Sequence, residues 1–140
     1  MSDIDWKSGT TGWAAIQKDK SVDGNALTLA AESGIKTFDK GIGTHANSEI
    51  VYDLAGKGFS TFQTYVGLDQ ETNGTGSIQF QVLLDGTNVF DSGKMTKSSP
   101  AKLVNVDVKG KKELTLIVTD NGDGNSNDHA DWADAKLKVE

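Results

Sequence analysis

The stretch Ser77-Ile78-Gln79-Phe80-Gln81-Val82-Leu83-Leu84-Asp85-Gly86 decides the fold class. Ile78, Phe80, Val82 and Leu84 fall on one side of an extended chain, and Ser77, Gln79 and Gln81 on the other. Side chains of a strand alternate between its two faces, so this order gives one dry face and one wet face. Asp85-Gly86 then supplies a tight-turn dipeptide, and Val89-Phe90 begins a return strand.

The alternation recurs on both sides of this stretch. Upstream, Ile50, Tyr52 and Leu54 fall at alternate positions, as do Phe62, Thr64, Val66 and Leu68. Downstream, the rows are Val104, Val106 and Val108, then, past a turn at Gly110-Lys111-Lys112, Leu114, Leu116 and Val118. Ala135, Leu137 and Val139 close the chain. About nine or ten strands at this spacing predict an all-β chain folded as an antiparallel β-sandwich. Helical signals are weak: Trp13–Lys18 and Ala26–Glu32 have room for a turn each but no sustained 3.6-residue period. Trp6 and Trp13 read as plugs at the end of the sandwich.

A chain of 140 residues buries a core of its own, and no shift in composition divides it, so residues 1–140 read as one domain. Sixteen glycines against one proline suit many tight turns. With no cysteine, the fold owes nothing to disulfides or thiolate metal sites. The net charge is −6, and all 14 basic residues are lysine. An acidic, arginine-free surface is a poor partner for nucleic acid or anionic lipid. No apolar run approaches a membrane span. The opening Met1-Ser2-Asp3-Ile4-Asp5-Trp6 carries no secretory leader, which leaves a cytosolic protein or a module of a larger chain.

Strand interiors are committed to packing, so chemistry belongs in the connections. Lys40–Ser48 places His45 and Asn47 among small residues; both can exchange hydrogen bonds with hydroxyls, or they can serve the local backbone. Asp128–Asp134 combines His129, Asp131 and Trp132. That is an aromatic face for sugar C–H groups beside polar groups for hydroxyls, or else a packed Trp with turn residues around it. Leu68–Gly76 offers Glu71 and Asn73 as a rim, or is simply a hairpin loop. The oxygen-rich loop with Asp120, Asp123, Asn125 and Asp128 suits a structural Ca²⁺, or is a solvated turn. It is not an EF-hand, because counting from Asp123 puts Asp128 where that loop needs glycine.

Catalytic readings find little support. Gly-x-Ser-x-Gly, Walker and Gly-x-Gly-x-x-Gly patterns are all missing. Carboxylates are too plentiful to single out a glycosidase pair. A small metal-dependent hydrolase would need His45, His129 and Asp131 to converge on one ion. A structural or protein-interaction β-domain is the other alternative.

Three ordered motifs add a resemblance. Gly41-Ile42-Gly43-Thr44-His45-Ala46-Asn47-Ser48, then Val66-Gly67-Leu68-Asp69, then Asp128-His129-Ala130-Asp131-Trp132-Ala133-Asp134-Ala135 resemble the signature of the NPCBM domain, carbohydrate-binding module family 51. Asp5-Trp6-Lys7 and Gly12-Trp13 are similar to that family's opening, so the likeness runs from about Ile4 to Leu137. The resemblance implies a jelly-roll sandwich appended to a secreted bacterial glycoside hydrolase. It implies a non-catalytic module for terminal galactose-type sugars, galactose, N-acetylgalactosamine and blood-group glycans included. The sugar-binding residues it suggests are His45, Asn47, His129, Asp131 and Trp132, with Glu71 and Asn73 in a variable stretch where ligand choice is set. A monomer, the parent enzyme's domains in the same chain, no nucleic acid and no membrane insertion complete the expectation.

Overall fold

A computed structural model of the chain describes residues 6–11, 15–31, 34–71, 76–120 and 128–139. Among these residues lie thirteen strands and no helix. Numbered in chain order, one sheet runs β1 (Ser8–Thr10), β6 (Ser48–Asp53), β12 (Glu113–Thr119), β8 (Ser77–Leu84), β10 (Met95–Thr96), with β9 (Thr87–Asp91) also on β8. The second runs β11 (Lys102–Asp107), β7 (Phe59–Leu68), β13 (His129–Val139), β5 (Gly41–His45), β2 (Gln17–Lys18). β3 (Leu27–Ala31) and β4 (Gly34–Phe38) pair as a separate hairpin. All the pairings are antiparallel.

From β5 onward the chain keeps crossing between the sheets. β5, β7, β11 and β13 lie in one sheet, while β6, β8, β9, β10 and β12 lie in the other. The order β5-β13-β7-β11 facing β6-β12-β8 is the interleaving of a jelly roll. The expected all-β sandwich is therefore present.

The alternating rows form its core. Ile78, Phe80, Val82 and Leu84 are buried, as are Ile50, Tyr52, Phe62, Val66, Leu114, Leu116 and Val118. Trp132 meets Phe80 edge-on, with ring centroids 5.0 Å apart and planes at 90°, the arrangement that aromatic quadrupoles favour. Two predicted rows run past the core: Val89 is exposed, and Val139 ends β13 with 64 % of its surface exposed. β13 is bulged after Ala133, which disturbs its alternation toward that end.

The weak helical signals resolve as strands: Leu27–Ala31 is β3, and Gln17–Lys18 is β2. Leu27 and Leu29 are buried while Thr28 is partly exposed, so the segment has period two. Trp6 packs against the main core, and the Lys18 ammonium lies 5.2 Å from its ring centroid. Trp13 lies outside the described residues.

Residues 20–31 and Phe38 lie on the outer face of the second sheet. Leu27, Leu29 and Phe38 form a second apolar cluster with Ala133, flanked by Tyr65 and Ala101. Two glycines permit this close approach. Across the sheet Asp131 pairs with Gly43 on β5 and with Gly67 on β7. A Cβ on Gly43 would stand 2.6 Å from the Ser21 Cα, and one on Gly67 would stand 3.0 Å from a Leu29 methyl. The first clash is with backbone and has no flexible side chain to relieve it. Gly43→Ala is therefore expected to lower unfolding stability by about 1–3 kcal/mol in urea denaturation. An unchanged midpoint would show that Ser21 is not seated on β5.

Candidate functional site

At one end of the sandwich the β5–β6 corner, the start of the β7–β8 connection and the start of β13 come together. His45 and His129 are direct cross-strand partners, with ring centroids 5.2 Å apart and planes at 61°. Each imidazole is fixed by its Nδ1. That of His129 lies 2.6 Å from Glu71 Oε2, and that of His45 lies 2.8 Å from the Ala46 carbonyl. Both partners are acceptors, so each Nδ1 carries the proton and donates.

Glu71 is the hub. Its Oε1 accepts from Ser21 Oγ at 2.6 Å and from Asn25 Nδ2 at 2.8 Å, while Oε2 faces His129. Burial alone would raise its pKa, but the hydrogen bonds from Ser21, Asn25 and His129 outweigh it and hold the carboxyl below its ordinary value. His45 is only 5 % exposed. Burial lowers its pKa, the Ala46 carbonyl partly restores it, and His129 lowers it further. On the neighbouring rim, Asn47 and Asp120 pair reciprocally: the Asp120 N–H donates to Asn47 Oδ1 at 3.0 Å, and Asn47 Nδ2 donates to Asp120 Oδ2 at 3.3 Å.

The structure brings together His45, Asn47, Glu71 and His129 from the expected sugar set. It removes Trp132 and Asp131 from any direct contact with a surface ligand, because each is 0 % exposed. The physical reason is that Asp128–Asp134 is not one polar loop. From His129 it is a strand, and alternation sends Trp132 into the core while His129 and Asp131 take the opposite face. Asn73, Asp123 and Asn125 lie outside the described residues. Of the other two proposed calcium ligands, Asp120 holds Asn47, and Asp128 Oδ1 accepts the Ser77 N–H at 2.9 Å. Both carboxylates anchor loops through these contacts.

Ser21, Asp23 and Asn25 were not legible as site residues. Asp23-Gly24-Asn25 reads as a turn, and nothing local ties it to Glu71, 46 positions from Asn25. Donor atoms of Asp23, Glu71 and His129 lie within 4.8 Å of one another. Both Glu71 oxygens are already engaged by protein donors, so the cluster is organised for hydrogen bonding. The hydrolase alternative fails on Asp131, which is buried beneath the Ser21–Leu29 segment.

A jelly roll with a preset polar cluster at its loop end matches what the three motifs implied, and comparison with known proteins agrees. The NPCBM/NEW2 domain family matches residues 1–138. The chain belongs to this family. It is a non-catalytic carbohydrate-binding module. Its structure is similar to that of CBM51 from Clostridium perfringens GH95 in complex with methyl-galactose, with TM-score 0.95 and 50 % identity, covering 98 % of this chain and 97 % of that one. It is also similar to the chain holding CBM51-2, in complex with GlcNAc, and INT domains from Clostridium perfringens ZmpB: TM-score 0.94, 42 % identity, 99 % of this chain and 30 % of that one. Alpha-1,3-galactosidase B of Akkermansia muciniphila is 32 % identical over 86 % of this chain. The module spans only 9 %, 15 % and 20 % of the three curated relatives it matches.

The shifts of His45 and Glu71 have the same sign for stability. Both groups bind protons less readily folded than unfolded, so their contributions are present above the unfolded values and lost as pH falls through the folded ones. Unfolding free energy is expected to decline on acidification below about pH 6.5, and again below about pH 4.3. Urea denaturation across pH checks this: His45→Gln should remove the first decline and Glu71→Gln the second.

Proposed function

We propose that this loop end binds a terminal galactose-type sugar, galactose or N-acetylgalactosamine, as found on blood-group glycans. The observation that carries the reading is the Asn25–Glu71–His129 cluster, in a chain 50 % identical to a module described in complex with methyl-galactose. A pyranose presents neighbouring hydroxyls that both donate and accept. Glu71 and Asp23 supply acceptors, while Asn25 and Asn47 supply donors. Glu71 stays ionised, and hydrogen bonds to a charged acceptor are the stronger kind. Ser21 and His129 already fix its carboxylate, so little ordering cost is left for binding. His45, buried and bonded to the Ala46 carbonyl, braces the corner and backs the His129 ring.

A small polar ligand offers few atoms and competes with water, so affinity falls at about 0.01–1 mM. Such a module acts through avidity, holding an attached glycoside hydrolase near its glycan. The galactosidase names of two relatives, and the small part of each that this module spans, support that role in a larger secreted or cell-surface bacterial enzyme.

Calorimetry with methyl-galactose is expected to show binding in that range, and Glu71→Ala to weaken it by about tenfold or more. A glycan array without a galactose- or N-acetylgalactosamine-terminated hit would overturn the ligand assignment.

A further inference from the structure

Beneath the site lies a buried pair of carboxyl groups with no direct place in sugar contact. Asp131 and Asp69 are both 0 % exposed, and Asp69 stands two residues beyond Gly67, the cross-strand partner of Asp131, on the same face of the sheet. Two carboxyl groups buried on one face without solvent cannot both stay charged, because each disfavours the ionised form of the other. The donors around them are unequally shared. Asp69 Oδ1 accepts the Glu71 N–H at 2.9 Å and Thr28 Oγ1 at 3.1 Å, and Oδ2 accepts the Thr28 N–H at 3.2 Å. Neither Asp131 oxygen accepts a well-formed hydrogen bond from any described group.

We propose that Asp69 and Asp131 share one proton, carried by Asp131, and that this acid–carboxylate pair is a positioning device that holds Glu71 in the sugar site. Asp131 rises from β13 between Gly43 and Gly67, which leaves it room to meet Asp69 under the covering segment. Its donated hydrogen bond completes the set on Asp69. Asp69 in turn fixes the backbone of Glu71 and of Thr28, and so the approach of the Ser21–Asn25 turn to the Glu71 carboxylate. The role assigned to Glu71 rests on the proposed galactose site; the shared proton does not.

The charged surroundings agree. Burial raises the Asp131 pKa well above its ordinary value, and the hydrogen bond and charge of Asp69 and the charge of Glu71 add to this, against a small opposing effect of the Thr28 N–H. On the same face, His129 stands two residues away on β13, and His45 stands two residues beyond Gly43 on β5. Lys20 and Asp23 on the covering segment are exposed, and Lys36 on β4 lies over the Phe38 and Tyr65 rings. Between the unfolded value of about 3.9 and the raised folded value, the unfolded chain releases this proton and the native state keeps it. This contribution to stability is therefore full at low pH and falls as pH rises through that window.

Carboxyl-carbon NMR of the complete chain, with the Asp131 signal identified from its loss in Asp131→Asn, tests the shared proton without sugar. Asp131 should stay protonated through about pH 3–5, where an ordinary aspartate ionises; ionisation there would overturn the pair. The Glu71 amide proton should shift as Asp131 loses its proton at higher pH, and an unmoved signal would overturn the positioning role. Asn at position 131 keeps a donor for Asp69. Asp131→Asn is therefore expected to bind methyl-galactose within about twofold of the parent near neutral pH, and Asp131→Ala about tenfold more weakly. The stability of Asp131→Asn relative to the parent should climb with pH, and a flat difference counts against the shared proton. If the parent itself ignores methyl-galactose while the NMR results hold, the galactose assignment fails and the carboxyl pair stands.

Discussion

The polar cluster at the loop end depends on how closely residues 20–31 lie on the outer face of the second sheet. In most sandwiches that face would be wet, and alternation would fill it with polar side chains. Here the row Gly43–Asp131–Gly67 presents backbone on either side of a single carboxyl. Ser21 settles over the first glycine and Leu29 over the second. The approach delivers Ser21 and Asn25 to Glu71, and Thr28 to Asp69. Without it Glu71 would keep only His129, and a carboxylate with one partner is free to turn toward water.

The jelly roll decides which connections share an end. Because the chain crosses between sheets at nearly every step, residues far apart in sequence begin or end their strands side by side. The β5–β6 corner meets the start of β13, with the Ala46 N–H on the Asp128 carbonyl at 3.1 Å. The start of β13 meets the end of β7, with the Asp69 N–H on the His129 carbonyl at 2.8 Å. The polar groups are thus mounted on strand ends tied by backbone hydrogen bonds. A site held this way is preorganised for a ligand too small to reshape it.

Legibility followed local periodicity. Ile78 to Leu84 read correctly because one face of β8 is wholly apolar and buried, with Gln79 and Gln81 on the other. Leu27–Ala31 misled because its alternation is short and its partner is the outer face of another sheet. The His129–Trp132 stretch misled for a different reason. Its chemistry suits a sugar site as a group, but a strand separates its members: Trp132 packs on Phe80 in the core, and His129 reaches Glu71 outside it. The alternation of Ala130 and Trp132 with His129 and Asp131 was present in the sequence and was the signal to follow.

By itself the sequence determined the all-β class and, through three ordered motifs, the family. These follow from residue types and their spacing, which are local properties. Only the tertiary structure decided which of the motif residues pack in the core and which join the polar cluster at the loop end. Ser21 lies 50 positions from Glu71, and Asp131 lies 62 from Asp69, so no local pattern relates them. Their meeting depends on a covering segment held against two glycines by long-range packing.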